Sequence, residues 1–347
     1  MRQMIERMGG ILGLAFCMAL LSGCRGREMQ TAGETAQKDD RIHIGLSFDS
    51  FIIERWQRDR DAFVARASEL GAEVNVQCAN GEAKEQAAQI EYLIEKDMDV
   101  IVIIATDYNA LSEPVRKAKR EGVRVIAYDR LIKDADVDLY ITFDNERVGE
   151  MMAETILART PEEGKIFMMC GSPEDNNVSL VMEGFHGMID RTDRVVVETA
   201  YADNWLSEIG FYQVSAYLDK GGEADAIMCG NDDIASQVIR ALSERRMAGE
   251  VCVVGQDADL GACQRVVEGT QAMTVYKPVE KLARRAAECA VTLAKGEDLK
   301  TAGTFFDGAQ EVPYIGLEPV AVTAANMDVI IEDGFHMRED IYLNVGE

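Results

Sequence analysis

Arginine, aspartate and asparagine side chains recur directly after short apolar runs of the sequence. One example is Gly171-Ser-Pro-Glu-Asp-Asn-Asn177, which separates the apolar run Lys165–Cys170 from a helical pattern that starts near Val178. Planar charged groups and amides can hold adjacent hydroxyl groups in pairs, and the faces of Trp56 and Trp205 can cover the C–H faces of a sugar ring. These residue types therefore predict non-covalent recognition of a small polyhydroxylated ligand.

The sequence offers little for covalent or metal chemistry. Its three histidines are scattered along the chain, and no nucleophile, base or metal set stands out. Neither of the common glycine-rich nucleotide-binding motifs is present. The segment that begins at Asp134 fails as a calcium loop, because its sixth position is Leu139 and its twelfth is Asn145. We therefore expect a protein that is not an enzyme and that binds neither cofactor nor metal.

The elements that would position these side chains alternate along the chain. Apolar runs are each followed by a polar cluster and then by an amphipathic stretch, such as residues 82–96 with Ile90 and Ile94 on one face. This alternation is typical of parallel sheets with helices on both faces, whose ligand sites lie at the carboxyl ends of the strands. The sequence therefore predicts an α/β fold. The polar clusters comprise residues 47–50, 105–107, 128–130, 171–177, 230–232 and 255–257.

The length of the chain indicates its domain number, and its net charge limits the kinds of partner it can bind. A chain of 347 residues is long enough for two domains, and its 47% of apolar residues can form a sizeable core. The net charge is −25, which disfavours long-range attraction to nucleic acid or to anionic lipid. We expect no nucleic-acid partner.

The first 23 residues are typical of a secretory signal. A basic start with Arg2 and Arg7 precedes an apolar run that is too short to span a bilayer. The run ends in Leu21-Ser-Gly-Cys24, which resembles the lipobox of bacterial lipoproteins. This predicts that Cys24 carries a lipid and becomes the N-terminus; a cleaved signal followed by an incidental cysteine is the alternative. Residues 24–40 then read as a tether, which places the protein on the outer face of the cytoplasmic membrane, held by the lipid alone.

Six further cysteines show no metal-like spacing and no Cys-x-x-Cys pair. Several fall inside apolar strands, where a free thiol behaves as a small hydrophobe. We therefore favour buried thiols over disulfides. These cysteines are Cys78, Cys170, Cys229, Cys252, Cys263 and Cys289.

Several strings of residues resemble the D-xylose-binding proteins of bacterial ABC transporters, within the type I periplasmic sugar-binding protein family. The likeness runs in order from Ile42 to Asp340. It rests on Glu54-Arg-Trp-Gln-Arg-Asp-Arg-Asp61, Ala127-Tyr-Asp-Arg130, Phe143-Asp-Asn145, residues 171–173 and 175–177, Gly255-Gln-Asp-Ala-Asp-Leu260, residues 269–278, and Asp333-Gly-Phe-His336.

The resemblance implies two Rossmann-like lobes with parallel sheets, joined by three crossing segments and closing on a sugar. On this basis the N-terminal lobe comprises residues 41–145 and 278–308, and the C-terminal lobe residues 146–277 and 309–347.

The resemblance also implies a set of binding residues. One lobe would supply Arg55, Trp56, Asp129 and Arg130. The other would supply Asp175, Asn177, Trp205, Asn231 and Asp257, with Lys277 at a crossover. Trp56 and Trp205 would then enclose the sugar ring from opposite sides. Each residue has a plainer alternative: a structural ion pair for Asp129 and Arg130, a helix core position for Trp56, and helix caps for Asp175 and Asn231.

The implied function is a monomeric receptor that binds D-xylose, or a closely related monosaccharide, and delivers it to an ABC permease in the membrane. A sensor that presents the same sugar to a membrane histidine kinase is the alternative, because both functions would use the same site. A sugar-responsive repressor is disfavoured, since an export signal stands where such a protein needs a DNA-binding helix-turn-helix.

Overall fold

The computed structural model of the protein describes residues 41–301 and 303–345. Two sheets organise this part of the chain. The first contains seven strands in the order β11-β12-β5-β4-β3-β1-β2. Its strands are β1 (Ile42–Phe48), β2 (Ala72–Cys78), β3 (Val100–Ile103), β4 (Arg124–Tyr128), β5 (Leu139–Phe143), β11 (Gly303–Phe306) and β12 (Glu311–Leu317). All of them run parallel except β11.

The second sheet contains six strands in the order β13-β10-β9-β8-β6-β7. Only β13 is antiparallel to its neighbour. The strands are β6 (Lys165–Cys170), β7 (Val195–Tyr201), β8 (Ala226–Cys229), β9 (Cys252–Gln256), β10 (Met273–Tyr276) and β13 (Val320–Val322). Each sheet with its helices forms one lobe, and the predicted parallel α/β architecture is confirmed.

Helices connect the strands of both sheets. The first lobe contains α1 (Arg55–Glu69), α2 (Ala83–Glu95), α3 (Ser112–Arg120) and α9 (Val279–Ala294), which packs against α1. The second contains α4 (Asn145–Arg159), α5 (Asn176–Ile189), α6 (Glu208–Asp219), α7 (Asp232–Ser243), α8 (Leu260–Glu268), α10 (Asp328–Glu332) and α11 (Arg338–Ile341). Two 3₁₀ turns, Asp203–Trp205 and Ala324–Asn326, complete the elements.

Burial explains the continuous apolar runs. Every residue of β3, β5 and β8 is buried, as expected for central strands covered on both faces. The amphipathic stretch at residues 82–96 forms α2, which buries Ile90 and Leu93. The six cysteines of the described residues are free thiols, and burial raises the pKa of Cys170 to about 12.

The chain crosses between the lobes after β5, after β10 and after β12. The third crossing lies later in the chain than the predicted boundary between residues 308 and 309. Residues 311–317 were expected in the C-terminal lobe, but β12 pairs with β5 of the first sheet. Gly308, the last residue of the predicted N-terminal segment, has φ +110° and lies in the hairpin turn between β11 and β12. Aromatic packing fixes this arrangement, because the Tyr314 ring lies 5.6 Å from that of Tyr140.

The predicted signal peptide, Cys24 and the tether to residue 40 lie outside the described residues. Within the described part, no helix is both long and apolar enough to cross a bilayer. The same residues contain no cluster of histidine, cysteine, aspartate or glutamate side chains that could hold a metal ion.

Candidate ligand-binding cleft

The carboxyl ends of strands from both sheets meet at a cleft between the lobes, as parallel sheets predict. Its space, including the part open to solvent, amounts to about 300 Å³. Every residue proposed from the sequence lines this cleft except Asn231. The lining residues are Ile53, Arg55, Trp56, Asp129, Arg130, Asn145, Asp175, Asn177, Trp205, Gln256, Asp257 and Lys277.

Arg55 organises one side of the cleft from the first turn of α1. Its guanidinium lies 3.2 Å from the Asp59 carboxylate, one helical turn away, and donates to Asp129 Oδ2 at 3.0 Å. Burial by itself would raise the pKa of Asp129, but Arg55, Lys277 and Arg130 together hold it below its usual value. The Asp129 carboxylate is therefore ionised and fixed in position.

Arg130 occupies the centre of the cleft. Its Nη1 donates to Asp49 Oδ2 at 2.7 Å within the first lobe, and its Nε lies 2.7 Å from Asp175 Oδ2 of the second lobe. The second contact has ion-pair distance without hydrogen-bond alignment, and among the described residues Arg130 Nη2 has no hydrogen-bond partner. Arg130 thus contacts both lobes, and its Nη2 group is still able to donate a hydrogen bond to a ligand.

Asp175 and Asn177 both belong to the start of α5 but act differently. Asp175 is the N-cap, and its Oδ1 accepts from the Asn177 backbone N–H at 2.9 Å. The Asn177 amide donates to Asp129 Oδ1 across the cleft at 3.1 Å, and its Oδ1 accepts from Asn145 at 3.0 Å. The cap expected as an alternative for Asp175 is present, and the same carboxylate also faces Arg130.

Lys277 and Asp257 form the far wall of the cleft. Lys277 Nζ lies 2.7 Å from Asp257 Oδ1 and 2.9 Å from Gln256 Oε1. Arg55 Nη1 approaches the same Asp257 oxygen at 3.8 Å from the first lobe. Asp257 has φ +99°, a conformation that costs free energy in a residue with a side chain and is concentrated at functional sites.

The two indoles face the cleft from opposite lobes. Trp56 is 1% exposed and packs edge-on against Phe48, so the helix core role considered for it is real. Trp205 lies against Gly171, where a Cβ would stand 2.2 Å from the indole Cη2 atom. The guanidinium carbon of Arg130 lies 5.5 Å from the Trp56 ring and 6.0 Å from the Trp205 ring. Neither indole N–H has a partner among the described residues.

Asn231 does not line the cleft. Its Oδ1 caps α7 by accepting from the Ile234 N–H at 2.9 Å, which is the cap anticipated as its alternative. Its Nδ2 is buried without a hydrogen-bond partner among the described residues. The residue follows β8, so its position at a strand end is as expected, but its side chain serves the helix.

A sequence model described as a periplasmic binding protein domain matches residues 44–298. The chain belongs to this family. It is 45% identical over 307 residues to the D-xylose-binding periplasmic protein of Haemophilus influenzae, covering 87% of this chain and 92% of that protein. The protein of the same name from Escherichia coli is 42% identical over 306 residues, covering 86% and 92%.

A solved structure shares the fold. An ABC transporter solute binding protein from Clostridium phytofermentans with bound β-D-glucose matches with a TM-score of 0.79 and 26% identity, covering 86% of this chain and 99% of that chain. The family expected from the sequence is thus confirmed, as is the expectation of a binding protein instead of an enzyme, because the relatives named here are binding proteins.

The site of this periplasmic binding protein contains residues that sequence reasoning did not single out. Asp49 and Gln256 lie inside polar clusters that were noted at strand ends, and Asn145 ends the string Phe143-Asp-Asn145. Asp59 lies four residues after Arg55, a spacing that places both side chains on one helix face. Burial raises the pKa of Asp59, although Arg55 and Tyr128 oppose the change. Two features of the sequence could therefore have identified these residues: the four-residue spacing between Arg55 and Asp59, and the position of the others at or just after the end of a strand.

The cleft and the side chains directly behind it together contain more carboxylates than cations, because Asp49 and Asp59 pair with Arg130 and Arg55 without lining the cleft. Each of these charged residues is at least nine-tenths buried. The carboxylates are Asp49, Asp59, Asp129, Asp175 and Asp257, and the cations are Arg55, Arg130 and Lys277. Among the residues that line the cleft, three carboxylates stand against three cations, so a ligand without net charge leaves this balance unchanged.

Proposed function

We propose that this protein is an extracytoplasmic receptor that binds D-xylose, or a closely related monosaccharide, between its lobes and delivers it to an ABC sugar permease. The observation that carries the proposal is the cleft itself: paired arginines and carboxylates between two indoles, in a chain 45% identical to a D-xylose-binding periplasmic protein. The solved structure of similar fold is that of an ABC transporter solute binding protein, which favours transport over the alternative of a sensor for a histidine kinase.

The chemistry of the cleft suits a sugar. A hydroxyl group donates and accepts, so it can bind a guanidinium such as that of Arg130 and a carboxylate such as that of Asp129 at once. Arg130 Nη2 and the indole N–H groups of Trp56 and Trp205 are buried donors without partners among the described residues. Because an unmade buried hydrogen bond is costly, these donors favour a ligand rich in oxygen acceptors.

Calorimetry with D-xylose, D-ribose, L-arabinose and D-glucose tests the ligand. We expect one-to-one binding of D-xylose with a micromolar or lower dissociation constant, which corresponds to about 8 kcal/mol. Spread over the roughly ten heavy atoms of a pentose, this is about 0.8 kcal/mol per atom, within the limit for very small ligands. Tight binding of ribose or glucose without a response to xylose would overturn the assignment and leave the fold intact.

A second experiment tests whether the protein delivers the sugar to a permease or presents it to a sensor kinase. Deleting the gene should slow uptake of labelled D-xylose at low concentration, because the permease would lose its receptor. Normal uptake combined with loss of xylose-induced transcription would establish the sensor instead. We also propose that the receptor acts as a monomer, which sedimentation of the sugar-bound protein would test.

We propose further that a lipid on Cys24 holds the receptor at the outer face of the membrane, because Leu21-Ser-Gly-Cys24 resembles a lipobox. Cys24→Ala should release the protein from membranes without a change in sugar affinity, since residues 24–40 separate this cysteine from the lobes. A variant that remains with the membrane after carbonate washing would refute the anchor.

A further inference from the structure

The string Asp333-Gly-Phe-His336 lies outside the ligand cleft, between α10 and α11 of the second lobe. Phe335 packs on the second-lobe core, with its ring 5.0 Å from that of Tyr276. Phe335 and His336 are both buried, with less than a tenth of their surface exposed. The segment is therefore a fixed part of the second lobe.

Arg58 of the first lobe contacts this segment in three ways. Its Nη1 donates to the Phe335 carbonyl at 3.0 Å, and its Nη2 lies 3.4 Å from His336 Nδ1. Its guanidinium carbon lies 4.4 Å from the centre of the Phe335 ring, within the range of a cation–π contact. Arg58 follows Arg55 by about one turn of α1, so the same helix reaches the second lobe at two points.

His336 links this contact to the cleft. Its Nε2 lies 2.8 Å from the carbonyl oxygen of Ala258. A carbonyl can only accept, so Nε2 carries the hydrogen, and the neutral ring then offers Nδ1 as an acceptor to Arg58. One tautomer thus satisfies both contacts.

The carbonyl that His336 holds belongs to a strained turn. Asp257 and Ala258 have φ of +99° and +56°, conformations that persist only where the surroundings impose them. The Ala258 N–H donates to Thr274 Oγ1 at 3.0 Å, so Thr274 and His336 hold the two peptide groups on either side of the Ala258 Cα. The turn presents Asp257 to Lys277 and Arg55.

We propose that Arg58, Phe335 and His336 form an interlobe clamp that holds the lobes together and positions Asp257 for sugar binding. The clamp rests on the proposed function, because Asp257 is taken to bind the sugar. Arg58 and His336 are positioning residues, since neither lines the cleft. A ligand shifts an equilibrium between separated and apposed lobes by its differential affinity, so a contact that favours apposition strengthens apparent binding.

Arg58→Met tests the clamp, because it keeps an unbranched apolar stem and removes the guanidinium. We expect D-xylose to bind about tenfold more weakly, and the radius of gyration of the sugar-free protein to rise in X-ray scattering. Arg60→Met is the matched control: Arg60 lies on the same helix, is also partly exposed, and pairs with Asp61 within its own lobe. It should leave affinity and radius unchanged.

His336→Phe keeps a ring at the position and removes both hydrogen bonds. The double variant decides whether the two residues act together: if they form one clamp, Arg58→Met should weaken binding less in the His336→Phe background than in the wild type. Additive losses, or wild-type affinity and radius in Arg58→Met, would overturn the proposal. So would a lower melting temperature in the single variants with no change in affinity or radius, because that describes packing alone.

The scattering measurement needs no sugar, so it separates the two proposals. If no monosaccharide binds the wild type, the proposed function fails while the clamp is still judged by the radius of Arg58→Met. If D-xylose binds the wild type and both single variants equally well, the clamp fails while the function stands.

Discussion

Asp175→Asn separates two roles of one carboxylate. Oδ1 accepts from the Asn177 N–H at 2.9 Å and caps α5, while Oδ2 lies 2.7 Å from Arg130 Nε in the opposite lobe. Asparagine caps helices about as well as aspartate does and has the same shape. The substitution therefore keeps the cap and removes the negative charge that faces Arg130.

The expected loss follows from the burial of the pair. Asp175 is 3% exposed and Arg130 is 2% exposed, and removing one member of such a pair costs roughly 2–5 kcal/mol. Arg130 keeps Asp49 at 2.7 Å, so its charge is not left uncompensated and the lower end of the range applies. About 2 kcal/mol corresponds to a dissociation constant for D-xylose about 30-fold higher.

Calorimetry measures this loss, and X-ray scattering follows the apposition of the lobes at a fixed sugar concentration. Asp144→Asn is the control, because Asp144 also caps a helix through its carboxylate, accepting from the Arg147 N–H at 3.0 Å. Asp144 does not line the cleft, so this variant should bind normally. Equal affinity in Asp175→Asn, Asp144→Asn and the wild type would show that Asp175 serves only as a cap.

Three further predictions concern the same lobes. Gly171→Ala should weaken sugar binding about tenfold, because its Cβ would overlap Trp205 and displace the indole; unchanged calorimetry would contradict this. Trp56→Phe and Trp205→Phe should each lose part of a sugar-induced change in tryptophan emission, and a full response in either variant would exclude that indole from the site. Burial raises the pKa of Asp232 to about 7, so the folded protein retains a proton that the unfolded chain releases at lower pH. That contribution to stability declines as pH rises from about 4 to about 7. The stability of Asp232→Asn relative to wild type should therefore increase between about pH 4 and about pH 7 in urea unfolding, and a constant difference would refute the shift.

The sequence predicted which strand ends meet, because parallel strands with apolar runs leave their carboxyl ends at one edge. It predicted less well where each side chain points. Asn231 follows β8 as expected, yet its Oδ1 caps α7, because the first turn of a helix needs acceptors for its free N–H groups. Gln256 and Asp257 are adjacent in sequence, and both reach Lys277. Adjacency alone could not show this, since the positive φ of Asp257 redirects the backbone.

The position of the third interlobe crossing also could not be predicted from the sequence. The resemblance implied a boundary after residue 308, but Gly308 has a positive φ and lies in a hairpin turn within the first lobe. The decision depends on packing between distant residues, here Phe305, Tyr314 and Tyr140 of the first lobe. A single sequence without that packing leaves both readings open.

The ion pairs of the cleft divide into two kinds with different consequences for recognition. The first kind joins two residues of the same lobe. These pairs are Arg55 with Asp59, Arg130 with Asp49, and Lys277 with Asp257. These pairs fix the direction of each cation whether or not the lobes meet, so a ligand would not have to order them and would lose less entropy on binding.

Further contacts cross the cleft, between Arg130 and Asp175, between Arg55 and Asp257, and between Asn177 and Asp129. They exist only when the lobes are together, and a sugar hydroxyl between the same groups can strengthen or replace them. A sugar whose hydroxyls match both sides gains from every pre-ordered group, whereas an epimer leaves a buried donor or acceptor unpaired, which costs about 1–3 kcal/mol for each group. Selectivity between pentoses would therefore come from the rigid pairs within each lobe, and affinity from the contacts across the cleft.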